Sequence, residues 1–273
     1  MDSNKYDQLM LACIGDNHIK KGTVYYDKTY FLALVSHLSD EQLLGKFHGE
    51  LKPNSQGPKM CSIASSSRLC YLATKSVKKY QDVDEYEKTD VYNGICHPHY
   101  DAYSSKTNTF YEFKCHEMCD GVSHGGEKLS DKYSSLLNEY FDVPIDIKPA
   151  DLRFSDLDIE FEDNPSIYSL NFNLKQFICH ILGLLSIASK NNKLTLQYVW
   201  VVPSATENMS ISDKEELKEY LERIEKQIRK IFDLFNNKKV NLAGNKITLN
   251  ELIKIELDIL PADEINDFIL NNI

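Results

Sequence analysis

The chain has 273 residues, 42% of them apolar and 26% charged, with a formal net charge of -10 at pH 7. That composition suits a folded α/β globule and excludes a fibre, a wholly disordered chain and a surface that grips nucleic acid nonspecifically on all sides. No run of about 18 apolar residues occurs, and "MDSNKYDQLM" has neither the basic start nor the apolar stretch of an export signal, so a cytoplasmic protein without a membrane segment is expected.

The first 58 residues read as a mostly helical region, with Ser39 an N-cap for "DEQLLGKF". "KPNSQGPK" follows as a loop, and the serines of "SIASSSRLCYLATKSVKKY" open a helical run. Arg68, Lys75 and Lys79 would share one side of that helix. From Lys46 to Lys79 seven basic residues face a single acid, Glu50, whereas Asp142 to Asp163 holds eight acids against Lys148 and Arg153. A polyanion could meet the first stretch and would be repelled by the second.

Aromatic and β-branched residues from Val91 to Cys115, broken by "SSKTN", predict an antiparallel hairpin. A turn centred on Lys106 and Thr107 sets Asp101 opposite Glu112. Alternation then places Glu112 and Lys114 on one face of a half-buried strand, toward a cleft, and Tyr111, Phe113 and Cys115 on the other.

"EKLSDKYSSLLNEYF" predicts a helix over 127–141, and an irregular acidic insertion follows it. "FNLKQFICHILGLLSIASK" is apolar almost all round, which predicts a helix buried between layers with Gln176 and His180 as its polar stripe. "LTLQYVWVVP" reads as a buried strand, and 213–236 as an amphipathic helix with Leu217, Leu221, Ile224, Ile228, Ile231 and Phe235 inward. Its outer side offers Glu219/Arg223, Glu222/Lys226 and Glu225/Arg229 as pairs one turn apart. The region 205–273 is expected to be a largely helical extension with one short strand, "KITL".

Two carboxylates beside an ammonium make a hard-oxygen site for Mg²⁺, which keeps several waters and lets a phosphate oxygen join them. Such a cation offsets phosphodiester charge and acidifies water, and the lysine supports the transition state. "HYDAYSSKTNTFYEFKCHE" resembles the second and third motifs of the PD-(D/E)XK nuclease superfamily. The flanking "KMCSIASSSRLCYLA" is similar to the bacterial restriction-endonuclease-like proteins within it. The likeness covers about residues 59–202. It implies a mixed central sheet in an αβββαβ core and an Mg²⁺-dependent endodeoxyribonuclease, with Mn²⁺ as a substitute ion, of a restriction, defence or repair kind.

Carried over by position, Asp101 and Glu112 become metal ligands, aided by the Phe113 carbonyl, Lys114 the catalytic lysine, and Gln176 the helical glutamine that leans on the site. Glu87 or Glu50 would complete the metal set, Glu87 being preferred, and Glu117 is a further candidate. Arg68, Lys75 and Lys79 would meet DNA phosphates. The chain departs from the pattern at Pro98, displaced from its usual place beside the aspartate, and at His180, where a tyrosine is usual. Cutting both strands of a duplex needs two sites, which makes a homodimer an expected partner.

Seven scattered cysteines predict free thiols rather than disulfides. A competing reading starts from Cys96, His97, His99, Cys115, His116, Cys119 and His124, crowded into 29 residues, and makes the protein a zinc-stabilised binding module. Another keeps the nuclease fold without the chemistry, as an inactive nucleic-acid-binding protein.

Overall fold

A computed structural model describes residues 1–14, 18–22, 24–37, 48–51, 58–89, 98–117, 119, 129, 131–147, 151–165, 172–207 and 209–265. Along the chain run α1 (Ser3–Ile14), the hairpin β1 (Ile19–Lys21) and β2 (Val24–Tyr26), α2 (Lys28–His37), α3 (His48–Leu51) and α4 (Ser66–Ser76). Next come β3 (Glu85–Lys88), β4 (Tyr100–Ser104), β5 (Thr109–Lys114), α5 (Asp131–Phe141), α6 (Leu174–Leu185) and β6 (Leu194–Val202). The chain continues through α7 (Ile211–Asn237), the hairpin β7 (Lys239–Leu242) and β8 (Asn245–Thr248), and β9 (Ile253–Pro261).

The turn between β4 and β5 ends on Asn108 at φ 52, a left-handed conformation that asparagine tolerates better than most side chains. It sets the register Ala102↔Tyr111, Tyr103↔Phe110 and Ser104↔Thr109, the one expected for a turn centred on Lys106 and Thr107. β3 pairs antiparallel with β4, β6 lies parallel to β5, and β9 lies parallel to β6. The result is a five-stranded mixed sheet in the order β3-β4-β5-β6-β9, flanked by helices.

Parallel neighbours need long crossovers, and α6 and α7 supply them. Both steps move across the sheet in one direction, so right-handed crossovers put both helices on the same face. Phe177 of α6 stacks on Phe232 of α7 at 5.1 Å between ring centres, and both rings pack on Tyr198 of β6. On the opposite face Tyr80 meets Tyr111 and Phe113 edge-on, at 5.8 and 5.6 Å. All six residues of β5 are therefore buried, where the sequence predicted a half-buried strand. The helix covering Glu112 and Lys114 is α6, buried over most of its length as its composition predicted. Gly183 lets α6 come close, because a β-carbon there would lie 2.4 Å from Pro98 Cγ and 3.2 Å from the Tyr100 hydroxyl.

The terminal regions differ from expectation. Residues 1–58 contain the β1–β2 hairpin as well as helices, and the expected helix after Ser39 lies outside the described residues. The C-terminal region is not a helical extension: after α7 it returns to the main sheet as β9. There Ile253 and Ile255 are buried while Lys254 is exposed, the alternation of a strand with one covered face. Among the described residues no helix is long and apolar enough to cross a membrane, and every described cysteine is a free thiol.

Candidate functional site

The β3–β4 register, Glu85↔Tyr103, Tyr86↔Ala102 and Lys88↔Tyr100, skips Glu87, which sits across from Asp101 at φ 49. A left-handed glutamate in a strand breaks the regular pleat and re-aims its side chain. The β4–β5 register, extended one residue, places Asp101 across from Glu112. Three carboxylates thus lie in a row over neighbouring strands, with Lys114 two residues along from Glu112.

Lys114 Nζ is 2.7 Å from Glu112 Oε1, 2.8 Å from Gln176 Oε1 and 3.6 Å from Glu117 Oε1. The Gln176 amide donates back to Glu112 Oε1 at 2.8 Å, which closes a ring of lysine, glutamate and glutamine. Asn173 caps α6 by accepting from the Gln176 backbone N–H at 3.1 Å, and so fixes where that side chain starts. Asp101 Oδ2 accepts from the Phe113 N–H at 2.7 Å. The hydroxyls of Ser66 and Ser67, on the first turn of α4, reach Asp101 at 3.5 Å and Glu87 at 2.9 Å. In the sequence the serine run marks only the start of a helix.

Burial, then Glu112 and Glu87, push the Asp101 carboxyl well above its usual range. Burial, with Glu50 and Glu112 adding to it, raises Glu87 to about 7 despite the Ser67 hydroxyl. Burial opposes the charge on Lys114, but Glu112 and Glu117 outweigh it and hold the ammonium above its ordinary value. His180 does reach the site: Nε2 lies 3.9 Å from Glu112 Oε2 and Nδ1 3.0 Å from the Tyr198 hydroxyl. Burial lowers it to about 4, so it is neutral near pH 7.

A cavity of about 390 Å³ opens beside the acids and is lined by Tyr26, Glu50, Lys59, Ser65, Ser66 and His116, among others. Ser66 belongs to both the cavity wall and the acid row. A larger cavity of about 1010 Å³ lies away from it, between α7 and the acidic segment after α5. Three of the lysines lining it are paired with acids, Lys230 with Glu162 at 3.2 Å, Lys238 with Asp158 at 3.5 Å and Lys246 with Asp142 at 3.5 Å.

The expected phosphate-facing helix side needs correction. Arg68 is 1% exposed, with its guanidinium 3.8 Å from the centre of the Tyr30 ring and 3.6 Å from Asp27, the residue whose carboxylate caps α2. It points into the core because a delocalised cation can stack on an aromatic face and pair with a carboxylate there. Lys79 lies beyond the end of α4, exposed but paired with Asp258 at 2.7 Å, so of the three only Lys75 is both on that helix and exposed. Arg68→Met is expected to lower stability by about 3 kcal/mol, because it strips the guanidinium from buried Asp27. Urea unfolding measures it, and the salt dependence of any DNA binding should not change.

The described part of the Cys/His cluster is dispersed. Cys96, His97 and His124 lie outside the described residues, His99 is exposed, and the Cys119 thiol sits 3.8 Å from the Tyr220 hydroxyl. Among the described residues, one set of three metal-ligating side chains has its donor atoms within 4.8 Å of one another: Cys115, His116 and Glu117. Burial keeps the Cys115 thiol well above its usual range, which disfavours the thiolate that zinc binds.

The row of acids is spaced more widely than that set. Its oxygens are hard donors of the kind Mg²⁺ accepts with water filling the other positions, and burial first, then the neighbouring acids, raises the carboxyls of Asp101 and Glu87. No protein-family model matches the chain, and no curated protein or solved structure is significantly similar to it.

Proposed function

We propose that this protein is a metal-dependent nuclease that hydrolyses DNA phosphodiesters, of the restriction, defence or repair kind. The observation that carries the reading is the row Glu87, Asp101, Glu112 with the Lys114–Gln176 pair closed onto Glu112. The order α4-β3-β4-β5-α6-β6, with α5 inserted, supports a PD-(D/E)XK core, and the half-buried Asp101 meets the cavity through Ser66.

Asp101 and Glu112, with the Phe113 carbonyl and Glu87 beside them, would hold Mg²⁺ or Mn²⁺, which when bound offsets phosphate charge and acidifies water. Lys114 keeps its proton and stands as a fixed cation next to the attacking oxygen, where negative charge develops. Gln176 locks both the ammonium and the carboxylate in place, and neutral His180 backs Glu112 without adding a second charge. Exposed Lys75, and Lys79 on exchanging Asp258 for phosphate, would position the duplex without reading bases.

The test is incubation with supercoiled and linear DNA in Mg²⁺, Mn²⁺ or EDTA. Cleavage is expected with either ion, none in EDTA, and none from Glu112→Gln. Cutting that persists in EDTA, or no cutting under any condition, would overturn the proposal.

A further inference from the structure

Ser66 joins the acid row to the cavity beside it: its hydroxyl is 3.5 Å from Asp101, and it stands in the cavity wall. Glu112 and Lys114, on the next strand, are only 4% and 5% exposed. At about 390 Å³ the cavity is near the small end of the roughly 300–1,000 Å³ range that holds one small molecule. A strand that brings its phosphate to this row therefore enters one nucleotide at a time, and a paired duplex stays outside.

Another part of the wall is β2. Val24 and Tyr26 both line the cavity, as alternation along a strand allows, while Tyr25 between them packs on the core and Asp27 turns to Arg68 at 3.6 Å. The strand is pinned to the segment that leads into α4, because the Asp27 N–H donates to the Cys61 carbonyl at 2.9 Å and the Ile63 N–H to the Tyr25 carbonyl at 3.2 Å. That fixes Tyr26 relative to Ser65 and Ser66. The hydroxyls of Ser62 and Ser65, also in the wall, accept from the Ala64 and Arg68 backbone N–H groups at 3.2 Å each, so each keeps its own hydrogen to donate. Lys59, 69% exposed, pairs with Glu50 at 3.2 Å. An exposed pair of that kind is weak, and its ammonium can exchange the carboxylate for a phosphate.

We infer that this cavity binds an unpaired nucleotide next to the scissile phosphate, with its base stacked on Tyr26 and its own phosphate held by Lys59 and the two serine hydroxyls. The inference rests on the nuclease reading above and narrows the substrate to single-stranded DNA or the opened arm of a duplex. An aromatic ring beside a cation is the combination that grips single strands with little regard to sequence, because every base has a face to stack.

Binding is measured apart from cleavage, with Ca²⁺ in place of Mg²⁺, on one short oligonucleotide presented as a single strand, as a blunt duplex and as the same duplex with a single-stranded overhang. The wild type should prefer the strand and the overhang to the blunt duplex by about 5- to 150-fold, the value of one stacked base. Tyr26→Ala should abolish the preference, Tyr26→Phe and Tyr26→Trp should keep it, and a fluorescent purine analogue in the strand should be quenched by the wild type and not by Tyr26→Ala. Equal affinity for single strand and blunt duplex, or a Tyr26→Ala that weakens both alike, would overturn the inference. If Tyr26→Ala does not fold, Lys59→Gln, at an exposed position, should reduce the salt slope of single-strand binding by about 0.7, the share of one phosphate, and an unchanged slope counts against the site. Cleavage of the same substrates with Mg²⁺ separates the two readings. A wild type that prefers single strands but cuts nothing keeps the nucleotide site and loses the nuclease reading, whereas one that cuts blunt duplex as fast as single strand keeps that reading and loses this inference.

Discussion

Lys114→Met is expected to destabilise the protein by about 3–5 kcal/mol and to reduce DNA cleavage by about 10² to 10⁴-fold. The stability loss comes from Glu112, which is 4% exposed and would keep its charge with the Gln176 amide and neutral His180 as its nearest partners. An exposed pair of the same residues would contribute about 0–1 kcal/mol. The double variant Glu112→Gln/Lys114→Met removes both members of the pair, and replacing a buried ion pair by neutral groups of similar size is commonly neutral or stabilising. Most of the lost stability should therefore return while cleavage stays lost. Urea unfolding and a plasmid assay on the same preparations check both halves. A single variant within about 1 kcal/mol of wild type would contradict a buried pair, and one that still cuts would remove Lys114 from the chemistry.

The second large effect is a pH-dependent response to divalent ions. Glu87 has a folded-state pKa of about 7 against an ordinary 4.5. Between those values the folded protein binds more protons than the unfolded chain, so this group's contribution falls as pH rises from about 4.5 to about 7. Asp101, raised in the same direction, adds to the fall. His180 works oppositely: lowered from 6.5 to about 4, it lets stability rise across that window. The rise from His180 offsets part of the fall in the wild type, which makes the difference between variants the useful quantity.

In EDTA, Glu87→Gln should match wild type near pH 4.5 and exceed it by roughly 2 to 3 kcal/mol above pH 7, allowing for the partial exposure of the side chain. With Mg²⁺ at about 100 times its dissociation constant the wild type should gain about 2.7 kcal/mol at pH 7.5, and much less at pH 5, where protons compete for the same oxygens. The variant should gain less than the wild type. Thermal melts with and without the ion measure this, and a wild-type midpoint indifferent to Mg²⁺ at pH 7.5 would rule out the cation site.

The parts of the site that the sequence revealed are those set by local rules. The hairpin register follows from a turn and a period of two, so Asp101 could be set against Glu112 and the partners of Lys114 could be named. The uniform apolarity of α6 and β6 likewise pointed to a buried helix bearing Gln176 over a central strand. What was hidden depended on residues far apart in the chain. Arg68 carries no local mark that its partners are Tyr30 and Asp27, so a buried cation looked like part of an exposed stripe. Nor does anything near Glu87 announce a left-handed backbone, and the contacts of Ser66 with Asp101 and of Ser67 with Glu87 join residues 35 and 20 positions apart in the chain. The strand β9 had its alternation in plain view, but parallel pairing leaves no tight turn as a signal.

That last strand has a consequence for biosynthesis. β6 lies between β5 and β9, and β9 is separated from it in the chain by all of α7 and the β7–β8 hairpin. As the polypeptide leaves the ribosome, one margin of β6, almost all of it apolar and buried in the finished protein, must wait without its neighbour while some fifty further residues are made. During that interval its open backbone groups are a template for strands from other nascent chains. A ribosome that stalls before Ile253 would release a product that aggregates even though the proposed nuclease core is already complete.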